Sequence, residues 1–389
     1  MMTSKSVNKL VLTSMVCVLL TACSGSQIKP ITDPGYQPGK EDARLRITAD
    51  RLSKRIEDSR HYYHDPEVQD YLNRIARRLV GSLELGDIKL NIQVIENPNY
   101  NAFVLANGHI YIHTGLLSLI DSEAELATIL AHEIGHVVHR DAARAADQRK
   151  SAANLYAGFS ALPLINIFGG LHMAGSISGY SRDLERNADH YAAERLNQAG
   201  YNLAEGSGIF RKLSEATEGI TENDTPYFFS THPRMKERVD SFGQLEFGNN
   251  SNQQKQAPIE STPNIIFRDM AWSTLANYIE LGNTAQAEHL LPRLKEYESN
   301  NAVLRYYEAK IAQLKGEDEE YRSLLNQALA LEDQPDIRRE LGLLSFKNRD
   351  WANAREHLTQ YLKQAPEAKD RMFIEAYLRE IKEHKDTEQ

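Results

Sequence analysis

The spacing of hydrophobic positions changes several times along the chain, and each change marks an element. Between residue 41 and about residue 85 they recur at helical intervals, as in Tyr71, Leu72, Ile75 and Leu79, which predicts two helices. The period then falls to two. Ile88, Leu90, Ile92 and Val94 alternate with polar residues, and 102–113 carries Phe103, Leu105, Gly108, Ile110 and Ile112. This predicts two or three strands, with a hairpin turn at Ala106-Asn107-Gly108. Helical spacing returns behind Asp121 or Ser122, either of which can cap a helix running through Leu126, Ile129, Leu130 and His136 to about Arg149. A further helix is predicted over 184–199, closed by Gly200.

The stretch 154–178 is apolar but is interrupted by Pro163, Gly169 and Gly170, short of the roughly 20 unbroken apolar residues of a membrane-spanning helix. It reads as a buried or site-covering hairpin, with membrane contact as the alternative. A polar, Asn- and Gln-rich run then marks a linker over 246–262. Beyond it, 263–389 is helical throughout and repeats at about 34 residues. Gly282 and Gly316 end first helices, and Ala287 and Ala354 share a position in second helices. Tyr278, Ala309, Ala328, Pro335 and Gly342 fit the same pattern, which resembles tetratricopeptide repeats, although Tyr321 stands where a small residue is usual. Three such pairs and a last helix over 371–383 would stack into a solenoid with a concave face for partner proteins or peptide segments.

The N-terminus changes the picture of where the chain resides. Lys5 and Lys9 precede a short apolar run over 10–20, the layout of a secretory signal. Leu20-Thr21-Ala22-Cys23 resembles the lipobox of bacterial lipoproteins, so 1–22 is expected to be removed and Cys23 lipidated, with Ser24 favouring the outer membrane. Residues 23–40, rich in Pro and Gly, read as a tether. Cys17 lies in the signal, so the mature chain has no cysteine pair to oxidise. Loss of the two lysines takes the formal charge from −9 to −11, which argues against a nucleic-acid partner.

The chemistry concentrates in 41–245. Residues four apart share a helix face, so His132 and His136 can both direct an imidazole nitrogen at one ion. Glu133, turned by roughly 100° from His132, is placed to act on water rather than to ligate. Zinc lowers the pKa of a water it binds to about 7 and polarises a carbonyl, and a carboxylate beside it can take the proton. Downstream, Glu185 can supply a third ligand, and Asp189, one turn on, can buttress a ligating imidazole through its other nitrogen. His109, His113 and His139 sit near the site in sequence but read as non-ligands. The strand 108–113, with Gly108, His109, Ile110, Tyr111 and Ile112, is expected to be an edge against which a peptide substrate adds backbone hydrogen bonds.

His132 to His136, Glu185 to Asp189, Asn101-Ala102-Phe103 and Gly115-Leu116-Leu117 together resemble the gluzincin metallopeptidase family that includes the CAAX prenyl protease and HtpX. The added repeats are similar to those of its periplasmic branch. The resemblance implies an α+β zincin-like domain, mostly helical with a small sheet, followed by an all-α tetratricopeptide solenoid. It also implies one Zn2+ per chain, with Glu185 as third ligand and Asp189 behind the ligands. Thr231-His232-Pro233 and Arg238 match the family pattern as well. His232 would then stabilise the oxyanion or cap zinc as a regulatory fourth ligand, and Arg238 could pair with a substrate carbonyl.

The function expected is that of a zinc endopeptidase, lipid-anchored to the outer membrane on the periplasmic side. It would degrade misfolded or stalled outer-membrane proteins and assist their assembly, with the repeats docking the assembly machinery or its unfolded clients. One rival is a chaperone or scaffold acting through the repeats with a latent zinc site. The other is a metal-free binding protein.

Overall fold

The computed structural model describes residues 28–151, 180–216, 232, 242, 263–298 and 301–387. The signal, Cys23, the apolar stretch 154–178, Arg238 and the linker 246–262 lie outside the described residues.

The two predicted N-terminal helices are α1 (Lys40–Glu57) and α2 (Pro66–Val80). Helix α2 starts where Asp65 accepts from the backbone N–H of Glu67 and Val68, and it buries Tyr71, Leu72, Ile75 and Leu79. The strands are β1 (Asn91–Ile95), β2 (Ala102–Val104) and β3 (His109–His113). Gly108, at φ +90°, makes the β2–β3 turn, where a Cβ would also strike the side chain of Ile88.

The sheet order is β1-β3-β2, with β1 parallel and β2 antiparallel to β3. The expectation that Gly108, His109, Ile110, Tyr111 and Ile112 form an open edge is therefore wrong. Strand β3 is central, and its backbone groups are taken on both sides. The period-two pattern fixed the faces of these strands but carried no information about their neighbours. Antiparallel pairing joins Asn101 to His113 and Leu105 to His109, so the backbone groups of Ala102 and Val104 point away from β3. Among the described residues the outer strand beside β3 is β2.

After the single turn α3 (Thr114–Leu117) comes α4 (Glu123–His139), capped by Ser122, whose Oγ accepts from Glu125 N at 3.3 Å. The predicted helix to Arg149 is two helices. Arg140 adopts a left-handed conformation, φ 58°, and ends α4; α5 (Asp141–Ser151) starts in a new direction. Helix α6 (Arg182–Gln198) lies along α4, followed by Gly200 at φ +77°, the short α7 (Leu203–Gly206), and α8 (Gly208–Ala216).

Residues 28–36 are not a free tether. Ile31 is buried, its N–H donates to Val138 O at 2.8 Å, and Arg140 and Arg144 donate to the carbonyls of Lys29 and Ile28. Composition marked the segment as polar but could not show that two arginines more than a hundred residues away reach its carbonyls.

The C-terminal helices are α9 (Pro263–Glu280), α10 (Thr284–Tyr297), α11 (Ala302–Lys315), α12 (Asp318–Leu331), α13 (Pro335–Lys347), α14 (Trp351–Gln364) and α15 (Arg371–Thr387). They pack in consecutive pairs. Gly282 and Gly316, both at positive φ, close α9 and α11 as expected. Gly342 lets α13 approach α14, since a Cβ there would fall 2.5 Å from Leu358. Tyr321 is accommodated because its buried hydroxyl donates to Glu340. The first pair is not separate from the domain before it. Phe267, Met270, Leu275, Tyr278 and Leu290 belong to the same core as α2 and α4, and Tyr278 donates to Pro98 O at 2.6 Å. Gly115 leaves room for that loop, for its Cβ would lie 2.0 Å from Pro98 O.

Candidate metal centre

Helix α4 is buried from Ala124 through Val138, so every polar group on it needs a partner. Gly135 lets α6 come close: a Cβ there would lie 3.2 Å from Ala188 Cα. That contact brings Glu185, three residues before Ala188, and Asp189, the residue after it, over His132 and His136.

Each of the two histidines is held by a carboxylate on its Nδ1. Asp189 Oδ1 is 2.9 Å from Nδ1 of His132, and Asp141 Oδ2 is 2.8 Å from Nδ1 of His136. An Nδ1–H that donates to a carboxylate leaves Nε2 as the bare lone pair. These two lone pairs face one another, Nε2 to Nε2, at 3.1 Å. Glu185 stands 3.5 Å from both. His232 completes the group, with Nδ1 at 3.2 Å from His132 Nε2 and 3.1 Å from Glu185 Oε1. Donor atoms of His132, His136, Glu185 and His232 all lie within 4.8 Å of one another, and all four residues are buried. Converging lone pairs and a carboxylate repel unless a cation lies between them, and imidazole with carboxylate in fourfold array suits zinc.

Glu133 is buried beside this set without joining it, its Oε1 3.5 Å from Nε2 of His232. Thus His132, His136, Glu185, Asp189, Glu133 and His232 are brought together in one buried cluster. His109, His113 and His139 are outside the cluster of donors. Sequence reasoning missed two participants. Asp141 was assigned to a continuous helix, where five residues turn it roughly 140° away from His136; the left-handed Arg140 brings it back. Tyr180 stacks on the His136 ring at 4.1 Å between centroids, a contact for which the sequence carries no signal.

Two imidazoles one turn apart, a carboxylate ligand from a later helix and a buried glutamate beside them define the gluzincin class of metal-dependent hydrolase site. Residues 66–245 match the model of Peptidase family M48, and this stretch is a Peptidase family M48 domain. The chain is 30% identical over 205 residues to a putative beta-barrel assembly-enhancing protease of Vibrio cholerae, covering 50% of this chain and 42% of that protein. It is 26% identical over 262 residues to the beta-barrel assembly-enhancing protease of Yersinia pestis, covering 64% and 51%. Over 181 residues it is 29% identical to the mitochondrial metalloendopeptidase OMA1 of Schizosaccharomyces pombe, covering 46% and 52%. The chain spans about half the length of these relatives.

Proposed function

We propose that this protein is a zinc endopeptidase of the bacterial periplasm, lipid-anchored at Cys23 to the outer membrane, that removes misfolded or stalled outer-membrane proteins and aids their assembly. One observation carries the peptidase reading: Glu133 is buried against a complete set of metal donors yet is not one of them. Bound zinc would polarise a peptide carbonyl and acidify the attacking water.

The chain's own residues supply the rest. Glu133 takes the proton from the water and returns it to the leaving amine. Asp141 and Asp189 hold the imidazoles in the tautomer that presents Nε2. An extended substrate would pair with the outward backbone groups of Val104, the part-exposed end of β2. His232, if it swings out of the donor set, opens a ligand position and can donate to the oxyanion. Arg238, six residues on, is assigned a contact with a substrate carbonyl.

The paired C-terminal helices support tetratricopeptide repeats as a docking surface for outer-membrane assembly machinery or unfolded clients. The names of two of the relatives, beta-barrel assembly-enhancing proteases, support that pathway. Glu133→Gln is the test. The variant should keep one zinc per chain and lose cleavage of an unfolded protein by about 100-fold or more. Full activity would refute the peptidase reading.

A second reading is favoured by the position of His232, whose Nδ1 fills the fourth corner of the donor set. In it the zinc site is latent and the repeats act as a chaperone or scaffold. Full rescue of a deletion strain by Glu133→Gln would support this second reading.

A further inference from the structure

Beside the metal ligands is a hollow that neither the metal chemistry nor the backbone edge of β2 accounts for. It is lined by His136 and Tyr180 on the metal side, by Val104 at the open end of β2, by Ala142 of α5, and by Ile31 and Tyr36 of the N-terminal segment. Its walls are mainly apolar and several are half-exposed. The charged groups at its rim are already matched: Arg140 Nε donates to Asp42 at 3.0 Å, and Arg46 pairs with Asp87. An entering charged side chain would therefore lose water and find no uncompensated partner.

We infer that this hollow is a subsite for one uncharged, apolar side chain of the peptide substrate, and that the N-terminal segment 28–36 forms its outer wall. The inference rests on the peptidase reading above. A peptide that pairs with Val104 while presenting a carbonyl at the donor set must pass the hollow, because both His136 and Val104 border it. Side chains of an extended peptide alternate, so one of them turns into the space.

The wall is built rather than incidental. Ile31 is tied to the end of α4 by its N–H to Val138 O, and Arg140 donates to Lys29 O at 3.1 Å while its guanidinium lies 4.7 Å from the Tyr36 ring centre. Arg140 holds this position in a left-handed conformation unfavourable for a residue with a side chain. The chain that follows the predicted lipid anchor thereby becomes part of the specificity surface.

The test uses the full chain and a mixture of synthetic peptides varied at each position around the cleaved bond. Ala142→Leu narrows the hollow, and Tyr36→Ala widens it. For wild type, cleavage should favour a large apolar residue at one position. Ala142→Leu should raise KM for such peptides by about tenfold with kcat little changed, and should spare peptides with Gly or Ala there. Tyr36→Ala should extend the preference to bulkier residues at the same position. Zinc content near one per chain verifies folding, and if Ala142→Leu fails that check, Tyr36→Ala decides. Glu133-dependent cleavage with an unchanged position profile would overturn the subsite and leave the peptidase reading intact. Absence of any Glu133-dependent cleavage would overturn both.

Discussion

Oδ2 of Asp141 lies 2.8 Å from Nδ1 of His136, five residues back along the chain and across a helix break. Both side chains are fully buried. Removing the carboxylate leaves the imidazole free to rotate and to take the wrong tautomer. Asp141→Ala is expected to weaken zinc binding by about 10- to 100-fold, read by competition with a chelator. Unchanged affinity would show that the contact does not orient the ligand.

His232 contributes Nδ1 to the donor set and sets Nε2 toward Glu133. If it occupies a ligand position at rest, His232→Ala opens that position. Cleavage of casein, or of the chain itself, should then rise. A fall instead would assign His232 to the transition state, where loss of one donor costs about 100- to 1,000-fold in kcat.

Phe267 on α9 is almost completely buried against Tyr71 on α2, with ring centres 6.4 Å apart. Phe267→Ala should destabilise the protein by about 3–5 kcal/mol. The same cavity loosens α9 from the peptidase unit, so limited proteolysis should cut between 246 and 262 sooner than in wild type.

Asp333 accepts two hydrogen bonds from Arg338 and one from Gln364. The Arg338 bonds, helped by Gln364, pull its carboxyl down to about 2. Its folded pKa is below the unfolded value, so the stabilisation is present above the ordinary carboxylate range and is lost as pH falls toward 2. The group is largely exposed, so the pair is worth only about 0.2–1 kcal/mol. Asp333→Asn should lower Tm slightly at pH 7, and the difference from wild type should vanish as the solution approaches pH 2.

Much of the centre was legible because its geometry is helical. The offset from His132 to His136, and that from Glu185 to Asp189, each span about one turn, so sequence spacing translates directly into a shared face. Asp141 was illegible because a single left-handed residue redirects the chain, and Arg140 is not a residue type that announces such a turn. The strands show the same division. Alternation set Ile92, Val94, Ile110 and Ile112 on one face of β1 and β3, but it gave no sign that the opposite face is buried too, and their parallel pairing depends on contacts far apart in sequence. The docking of 28–36 was hidden for a related reason, since its partners Val138, Arg140 and Arg144 lie more than a hundred residues away.

Because α9 shares its core with α2 and α4, the C-terminal helices are mounted on the domain before them like an arm bolted to a bench. Its reach is then set by the number of helix pairs, and not by the length of 246–262. A client gripped at a given pair would offer the same stretch of its chain to the metal every time. Adding or deleting one pair should move the cut site along the client by a fixed increment, whereas lengthening 246–262 should leave it where it was.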